Sequence, residues 1–304
     1  MNKMKTQLKL LMLIFSELIA RALRRTESNY RVEKLALNAP KPNSTISTKT
    51  LAVVHLYYLD QVEELLIRMS RVPSLSAVFV TTPSIEVQNS AEEFSLLFEC
   101  PFQVVLLPNR GRNFGPLFEV MSKERQNFDY LLHVHGKKSL HSRRARMALW
   151  AEALYADLLD PQNFSEILEF MKSDLSVAIA YPNVSKYISK INMCWGLNFD
   201  SVSDKASKLG VDKPQFLTTK LNFPAGGMFL LRLPVYQNLF ANLVSQCDFS
   251  HEIGSVDGDL EHGLERIFGA IADASGMSQL VTNFDTGHHV KLSIRGQGEQ
   301  LARN

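Results

Sequence analysis

The sequence has few cysteines, no excess of either charge and no long hydrophobic run. Its three cysteines, Cys100, Cys194 and Cys247, show no Cys-x-x-Cys spacing, which argues against a disulfide framework and a zinc knuckle. Thirty-three basic and 31 acidic residues leave a formal charge of +2, which does not indicate a dedicated nucleic-acid binder. We therefore expect a reducing, cytoplasmic environment, no nucleic-acid partner, and electrostatic function confined to local sites.

The N-terminal apolar run is too short to cross a membrane. It covers about 13 residues within 5–25 and is interrupted by Ser16 and Glu17, whereas a membrane-spanning helix needs about 20 residues. The chain then continues into Arg21, Arg24 and a further arginine, where a secretory signal would require a small-residue cleavage site. Neither a spanning helix nor export is expected.

Residues 1–37 instead carry the pattern of an amphipathic helix. Their apolar side chains recur at intervals of three and four residues, and basic side chains occupy the other faces. Such a helix can lie peripherally on an anionic lipid surface, or pack on the protein's own domain or a partner, and the sequence leaves both open. The polar residues 38–50, rich in Ser, Thr and Pro, predict a linker.

From residue 51 onwards, short apolar runs alternate with segments of helical spacing. This alternation predicts an α/β domain over residues 51–276, with a mainly parallel Rossmann-type sheet covered by helices on both faces. Residues 277–304 are expected to form a tail that adds a final strand or frays.

Four loops that follow predicted strands or turns are candidates for function, because ligands of open α/β sheets bind beyond the carboxyl ends of the strands. They are NRGRNFG (109–115), HGKKSLHSRR (135–144), FPAGGMFLLR (223–232) and DGDLEHGLER (257–266).

The first two loops have the composition of an anion site. Glycines in 109–115 let backbone amides approach a phosphate, and the arginines can bind it bidentately; an ordinary glycine turn with solvated arginines is the alternative. No acidic residue occurs in 130–149, where lysines and arginines are frequent. His133 and His135 share a strand face and can contact a phosphate or a metal, but no third metal ligand is identifiable nearby.

The last two loops supply small residues and acids. Residues 225–227 carry no bulk, which suits close backbone approach to a sugar or base as well as a plain strand-entry turn. If a helix begins at Asp257, then Asp257, Glu261 and Glu265 form a column of carboxylates on one face. One of them can act as a general base; alternatively, Asp257 caps the helix and Glu265 pairs with an arginine.

Several of these segments occur together in one known family. The VHLYY strand, NRGRNFGP, DYLLHVHGKKS, Trp150, FPAGGMFLLR and DGDLEHGLER make residues 51–269 resemble the rhamnan synthesis protein F family of bacterial cell-surface polysaccharide enzymes. The resemblance implies a GT-A-like glycosyltransferase fold. It also implies inverting transfer of rhamnose or a related sugar, from a nucleotide-sugar donor such as TDP-rhamnose to a lipid-linked glycan such as an O-antigen of lipopolysaccharide.

The resemblance further implies a set of site residues. Asp257 is the first candidate for the base that deprotonates the acceptor hydroxyl, and Glu261 is the second. Basic side chains would neutralise the departing diphosphate. The implied substrate-binding residues are His55, Asn109, Arg110, Gly111, Arg112, Asn113, His135, Lys137, Lys138, Ser139, Gly226, Gly227 and Arg266.

The chain also departs from the family pattern. It has HGK (135–137) at the end of the DYLLHVH strand, where a typical GT-A enzyme places a DxD pair that holds Mg²⁺ or Mn²⁺. We therefore expect a metal-independent enzyme without a cofactor, with Mg²⁺ or Mn²⁺ as the alternative. Asn113 replaces an aspartate, Gly227 a threonine, Leu230 a tryptophan and Ala151 an arginine, which leaves an altered donor or a weakened enzyme open. The alternative function is a non-catalytic anion- or glycolipid-binding module.

Overall fold

The computed structural model describes residues 30–35, 37, 48–125, 127–137, 144–184, 186–187, 193–207, 211, 221–242, 249 and 259–294. The predicted amphipathic helix before residue 30 and most of the predicted linker lie outside these residues. Three of the implied site residues, Lys138, Ser139 and Asp257, also lie outside them.

The described elements alternate along the chain as the apolar pattern predicts. The strands are β1 (Tyr30–Leu35), β2 (Thr50–His55), β3 (Leu75–Thr82), β4 (Phe102–Leu106), β5 (Tyr130–His135), β6 (Val177–Pro182), β7 (Phe229–Arg232), β8 (Ser278–Thr282) and β9 (His289–Ile294). The α-helices are α1 (Val62–Ser70), α2 (Ile85–Glu92), α3 (Phe114–Glu124), α4 (Arg144–Leu159), α5 (Pro161–Ser173), α6 (Phe199–Ser207), α7 (Leu233–Asn242) and α8 (Leu260–Ala274).

Within the described residues these strands form one nine-stranded sheet in the order β1-β9-β8-β6-β7-β5-β2-β3-β4. The central strands are buried along their whole length, as in TLAVVH of β2 and VAIAYP of β6. Continuous apolar sequence of this kind is typical of strands that are covered on both faces. The predicted α/β fold is confirmed.

The sheet is mixed rather than mainly parallel. Strands β2, β3, β4 and β5 are parallel to one another, as are β6 and β8, whereas β7 is antiparallel to both of its neighbours, β5 and β6. β7 is a short buried apolar run, and such a run does not by itself indicate strand direction. The glycine turn at 225–227 leads into β7, and Phe229 at its start pairs with His133 near the end of β5. The start of β7 therefore lies at the same sheet edge as the ends of β2 and β5.

Helices cover both faces of the sheet, as predicted. The chain moves along the sheet in one direction from β2 through β3 to β4, with α1 and α2 as the connections. It then returns through α3 to β5, on the other side of β2. Because such crossovers are right-handed, α3 lies on the opposite face from α1 and α2. Helices α3, α6, α7 and α8 contact one another on one face. On the other face, Arg68 of α1 forms an ion pair with Glu152 of α4, with Nη2 and Oε2 2.8 Å apart.

The folded unit extends beyond residues 51–276. Residues 30–35, which the sequence analysis placed in the N-terminal segment, form β1, and residues 278–294 of the predicted tail form β8 and β9. The cause is mutual pairing, because β1 lies antiparallel to β9 from Tyr30 opposite Ile294 to Leu35 opposite His289. No helix in the described part of the chain has the length and apolar composition needed to span a bilayer.

A buried polar network ties β1 to the rest of the fold. The Tyr30 hydroxyl donates to the Asp273 carboxylate of α8, and Gln279 Nε2 of β8 donates to Asp273 Oδ1 at 2.9 Å. Gln279 Oε1 in turn accepts from the Tyr181 hydroxyl at 2.7 Å. Burial raises the pKa of Asp273 to about 6, although both donors oppose that shift.

Replacing Asp273 by Asn should remove part of the pH dependence of stability. The folded-state pKa of about 6 lies above the ordinary value of 3.8, so this carboxyl favours the folded state only while it is protonated. Its contribution should be present below about pH 4 and lost as the pH rises through about 6, by on the order of 2–3 kcal/mol. Urea unfolding of Asp273→Asn between pH 4 and 7 should therefore give a flatter profile than that of the wild type.

Tyr30→Phe is the matched control for this prediction. It keeps the carboxyl and removes a hydrogen bond that lowers its pKa, so the pH dependence should persist or steepen. An unchanged pH profile in Asp273→Asn would contradict the assignment.

Candidate functional site

Three of the four candidate loops meet at one edge of the sheet. The loop after β4, the loop after β5 and the turn before β7 all lie at the carboxyl end of the parallel strands, and α8 approaches them from one face. This is where ligands of open α/β sheets bind. We take the side chains gathered there as the candidate functional site.

Two histidines of β5 hold the glycine turn against the sheet. His133 Nδ1 lies 2.7 Å from the carbonyl oxygen of Gly227, and His135 Nε2 lies 2.7 Å from that of Gly226. His135 Nδ1 is also 2.9 Å from the carbonyl oxygen of Gly136. Because a neutral imidazole donates through one nitrogen only, one His135 contact is a hydrogen bond and the other is a close approach.

The histidines at this edge form a neutral, buried cluster. Burial is the main cause that lowers the pKa of His55 to about 3 and of His135 to about 4, and it also lowers the pKa of His133 well below its ordinary value. Mutual repulsion adds to the shift of His55 and His133, and Lys137 adds to that of His135. His55 Nδ1 lies 3.0 Å from Thr81 Oγ1. These rings therefore support the site rather than supply charge.

Two cations from separate loops reach the site. Lys137, after β5, places its Nζ 3.8 Å from the centroid of the Trp150 ring of α4, a cation–π contact. Arg112, after β4, donates from Nη1 to His262 Nε2 of α8 at 3.0 Å, so His262 Nε2 carries no proton there. Burial lowers the pKa of Lys137 to about 8, and the nearby Arg112 charge lowers it as well.

A carboxylate on α8 faces both cations. Glu265 Oε1 accepts a hydrogen bond from the Gly226 amide at 3.3 Å. Burial raises the pKa of Glu265, while the charges of Lys137, Arg266 and Arg112 and the Gly226 amide oppose that rise. Reciprocally, Glu265 raises the pKa of Lys137. Arg112, Lys137 and Glu265 thus interact across one site although they come from three separate elements.

The predicted turn at 109–115 is tight, and several of its amides are already bonded. Gly111 has φ of 72°, and a Cβ there would lie 2.5 Å from Phe249 Cδ1. The amides of Phe114 and Gly115 both donate to the Gly111 carbonyl at 2.9 Å. This part of the turn therefore packs as the ordinary glycine turn would, and the Arg112 side chain of the turn contacts His262.

Arg266 has a different environment from Arg112 and Lys137. Its Nε donates to the Cys194 carbonyl at 2.7 Å, its Nη1 donates to the His262 carbonyl at 2.6 Å, and its guanidinium carbon lies 4.9 Å from the Phe223 ring centroid. Such contacts to backbone carbonyls fix the first turns of α8 in place. A role of Arg266 in substrate binding stays a prediction.

The acidic helix begins later than the sequence analysis assumed. Helix α8 starts at Leu260 with Asp259 at its N-cap, and Asp257 lies outside the described residues. Glu261 is buried, and Glu265 lies one turn further along the helix. Aspartates favour the N-cap position generally, and the sequence alone could not choose between Asp257 and Asp259.

Two further side chains, Gln61 and Tyr155, support the site although the sequence pattern does not single them out. Gln61 Nε2 donates to the Lys137 carbonyl at 3.1 Å, and the Tyr155 hydroxyl donates to the His135 carbonyl at 3.0 Å. These bonds fix the course of the chain after β5. No local pattern around Gln61 or Tyr155 indicates this role. The spacing of acids in the sequence identifies Glu265 as a member of the carboxylate column. Its position relative to Lys137 depends on how distant segments of the chain pack together, which the spacing does not indicate.

Some buried polar atoms near the site have no hydrogen-bond partner among the residues that the structure describes. They are Gln61 Oε1, Asn113 Nδ2 and Trp150 Nε1. Asn113 Nδ2 would lie 2.9 Å from a Cβ at Gly227, and Trp150 Cζ2 would lie 3.1 Å from a Cβ at Gly226. The glycine turn is therefore in close contact with both side chains. Orphaned donors and acceptors of this kind are candidates for contacts with a ligand or water.

A family model and two curated proteins are similar to this chain. The model described as "Rhamnan synthesis protein F" matches residues 7–277. Two curated relatives, both called "Uncharacterized protein WxcX", come from Xanthomonas campestris pv. campestris strains B100 and ATCC 33913. They are 28% and 27% identical over 234 residues, which is 76% of this chain and 32% of the relatives. The chain thus spans about a third of the length of the curated relatives it matches.

Remote similarity to solved structures is also found. Core-mannan synthase A from Aspergillus fumigatus, in an Mn/GDP form, is 10% identical with a TM-score of 0.29, and the match covers 78% of this chain and 68% of that one. Glucosyl-3-phosphoglycerate synthase from Mycobacterium tuberculosis, with Mn²⁺, UDP and glucosyl-3-phosphoglycerate, is 9% identical with a TM-score of 0.29. The match covers 77% of this chain and 84% of that one. Its complex with Mn²⁺, UDP and phosphoglyceric acid is 10% identical with a TM-score of 0.30, and the match covers 81% of this chain and 86% of that one.

The prediction of metal independence is wrong, because all three of these solved structures contain Mn²⁺. The side chains described at the site do not by themselves make a metal centre. Among the described residues no group of three His, Cys, Asp or Glu side chains could hold a metal ion, and both His135 nitrogens face carbonyl oxygens. We therefore assign no step of the mechanism to a metal.

Replacing Gly227 by Ala should destabilise the protein more than replacing Gly287 by Ala. Both glycines have positive φ, 71° and 64°, and a Cβ in that region costs about 1–2 kcal/mol at either position. At Gly227 the Cβ would also lie 2.9 Å from Asn113 Nδ2, whereas nothing lies within 4 Å at Gly287. Urea unfolding should show an additional loss of about 1 kcal/mol or more for Gly227→Ala. Equal losses would contradict the close contact.

Proposed function

The chain belongs to the rhamnan synthesis protein F family, and from this membership we propose that it is a glycosyltransferase of polysaccharide synthesis. The proposed reaction moves rhamnose or a related sugar from a nucleotide-sugar donor, such as TDP-rhamnose, to a lipid-linked glycan of O-antigen type, with inversion. The proposed location is cytoplasmic, at the inner-membrane surface, with residues 1–37 as the peripheral anchor.

The observation that carries the proposal is the convergence of Arg112 and Lys137 beside the glycine turn. Two partly buried cations from different loops lie close enough to Glu265 to interact with its charge. Fixed cations in a buried site stabilise concentrated negative charge better than exposed ones, because little water screens them. A nucleoside diphosphate is a leaving group with that charge.

In the proposed mechanism, Arg112 and Lys137 bind the diphosphate oxygens and stabilise the charge that develops on them as the glycosidic bond breaks. Lys137 can do so while it is protonated, which holds below about pH 8. The histidines of β5 keep the glycine turn in place through the Gly226 and Gly227 carbonyls. Asn113 Nδ2 and Trp150 Nε1, both beside that turn, are hydrogen-bond donors suited to sugar hydroxyls.

The acceptor hydroxyl must lose a proton as it attacks the sugar from the opposite face. We assign this step to Asp257 first and Glu261 second, on the family resemblance. Glu261 is buried in the first turn of α8, within one helical turn of Glu265. The proposed donor contacts also include His55, Asn109, Arg110, Gly111 and, outside the described residues, Lys138 and Ser139.

Lys137→Met should weaken nucleoside diphosphate binding by about 10- to 100-fold at pH 7, since a hydrogen bond from a charged group contributes about 1.5–3 kcal/mol. The measurement is calorimetric titration of the full chain with TDP, UDP and GDP, followed by a panel of nucleotide sugars with a glycan acceptor. Turnover should release the nucleoside diphosphate for one donor of the panel, and TDP-rhamnose is the one we expect.

Lys123→Met is the matched control, because Lys123 is an exposed lysine paired with Glu119 on α3. It should leave binding unchanged. Equal affinity in Lys137→Met and the wild type would contradict the proposed site. Binding to any polyanion, lost on adding salt and without nucleotide selectivity, would instead indicate an anion-binding module.

Asp257→Asn should abolish turnover while it leaves donor affinity within about threefold, because a general base acts on the acceptor and not on the donor phosphates. The test compares kcat with the affinity for the nucleoside diphosphate. Undiminished kcat in Asp257→Asn, together with a loss in Glu261→Gln, would transfer the role to Glu261.

A further inference from the structure

One carboxylate at the site has no part in the proposed mechanism. Glu265 lies beside the cations that would bind the diphosphate, where an additional negative charge would oppose the ligand. A buried carboxylate is also costly to maintain in its charged form. Its position therefore calls for a function of its own.

We propose that Glu265 is a positioning residue that keeps Lys137 charged and seated on Trp150, and that it thereby sets the upper pH limit of diphosphate binding. The identity of the ligand in this inference rests on the proposed function. The relation between Glu265 and Lys137 does not, because it depends on contacts within the protein. Glu265 bonds to the Gly226 amide, Gly226 lies against Trp150, and Lys137 lies over the Trp150 ring.

The Glu265 side chain is held by one hydrogen bond, and its helix is held by separate contacts. Its Oε1 accepts from the Gly226 amide at 3.3 Å, so it is tied to the same turn that His135 and His133 hold against the sheet. Its helix is held by the adjacent Arg266, which donates to the Cys194 and His262 carbonyls. The carboxylate is therefore a fixed charge and not a mobile counter-ion.

The charges around Lys137 make a fixed anion necessary. Arg112, from the loop after β4, repels the ammonium group, and burial disfavours its charged form. His135 of β5 is neutral, and α4 supplies the uncharged Trp150 ring. Among the described groups that act on Lys137, Glu265 of α8 is the one that favours its charge.

The separate contacts of the two groups leave the Lys137 ammonium available. In the described part of the chain, Lys137 and Glu265 do not form an ion pair at contact distance; the ammonium lies over Trp150 and the carboxylate bonds to Gly226. Attraction across this gap supports the charge of Lys137 without occupying its hydrogen-bond donors. A diphosphate can then accept from them.

The first test needs no ligand and uses tryptophan fluorescence. The chain has two tryptophans, Trp150 and Trp195, so a Trp195→Phe background isolates the ring that Lys137 contacts. Excitation at 295 nm between pH 6 and 9.5 should show a transition near pH 8, the pKa of Lys137. Adding Glu265→Gln should move this midpoint down by about one pH unit or more, since an opposite charge has been removed.

Two further variants identify the groups. Lys137→Met should eliminate the transition, which assigns it to that ammonium. Glu265→Asp keeps the charge and should restore a midpoint near that of the wild type even if the shorter side chain loses the Gly226 bond. A midpoint in Glu265→Gln that equals the wild-type midpoint would overturn the proposal, as would a transition that survives in Lys137→Met.

The second test measures TDP, UDP and GDP binding to the otherwise unmodified full chain as a function of pH. Glu265→Gln should bind about fivefold more weakly than the wild type at pH 8, because a midpoint about one unit lower leaves about a tenth of Lys137 charged instead of about half. It should bind at least as tightly at pH 6, where Lys137 is charged in both and the repulsive carboxylate is gone. Glu169→Gln removes a carboxylate from an ion pair with Lys172 on α5 and should not change the profile. Equal losses at both pH values would overturn the proposal and indicate a structural role.

The two tests separate this inference from the proposed function. If the wild type binds none of the nucleoside diphosphates while the Trp150 midpoint still moves in Glu265→Gln, the proposed function fails and the role of Glu265 stands. If binding is strong and its pH profile is the same in Glu265→Gln and the wild type, the role of Glu265 fails and the proposed function stands.

Discussion

The antiparallel insertion of β7 between β5 and β6 is the constraint on which the site depends. Because β7 runs against its neighbours, the turn that precedes it lies at the edge where the parallel strands end. Residues 225–227 are small enough for that turn to lie against Asn113 and Trp150.

The electrostatics follow from burial around that turn. Neutral histidines lie beneath it, and the two cations and one carboxylate lie around it, so the charged groups act on one another with little screening. Each of them is held by contacts within the protein: Arg112 by His262, Lys137 by Trp150 and Glu265 by Gly226. Such an arrangement requires little rearrangement on ligand binding, which is the condition for effective electrostatic stabilisation.

Periodicity in the sequence was sufficient for the fold class, because central strands such as β2 and β6 are continuous apolar runs. It was not sufficient for β1, in which one residue is buried and most of the others are exposed, and whose partner lies at the far end of the chain. The meeting of the loops after β4 and β5 followed from parallel strands. The orientation of Glu265 did not, because it depends on how α8 packs; Gly269 permits that packing, since a Cβ there would lie 1.9 Å from the Asn222 carbonyl oxygen.

Strand β1 determines whether a fragment of this chain leaves the edge of β9 exposed. A fragment begun at residue 51, where the apolar alternation starts, would lack β1 and leave the backbone donors and acceptors along β9 open to another molecule. It would also remove the phenol that donates to Asp273 on the helix bearing Glu265. Exposed sheet edges of this type favour intermolecular strand pairing, so such a fragment would be prone to aggregate, and a fragment that retains Tyr30–Leu35 keeps that edge covered.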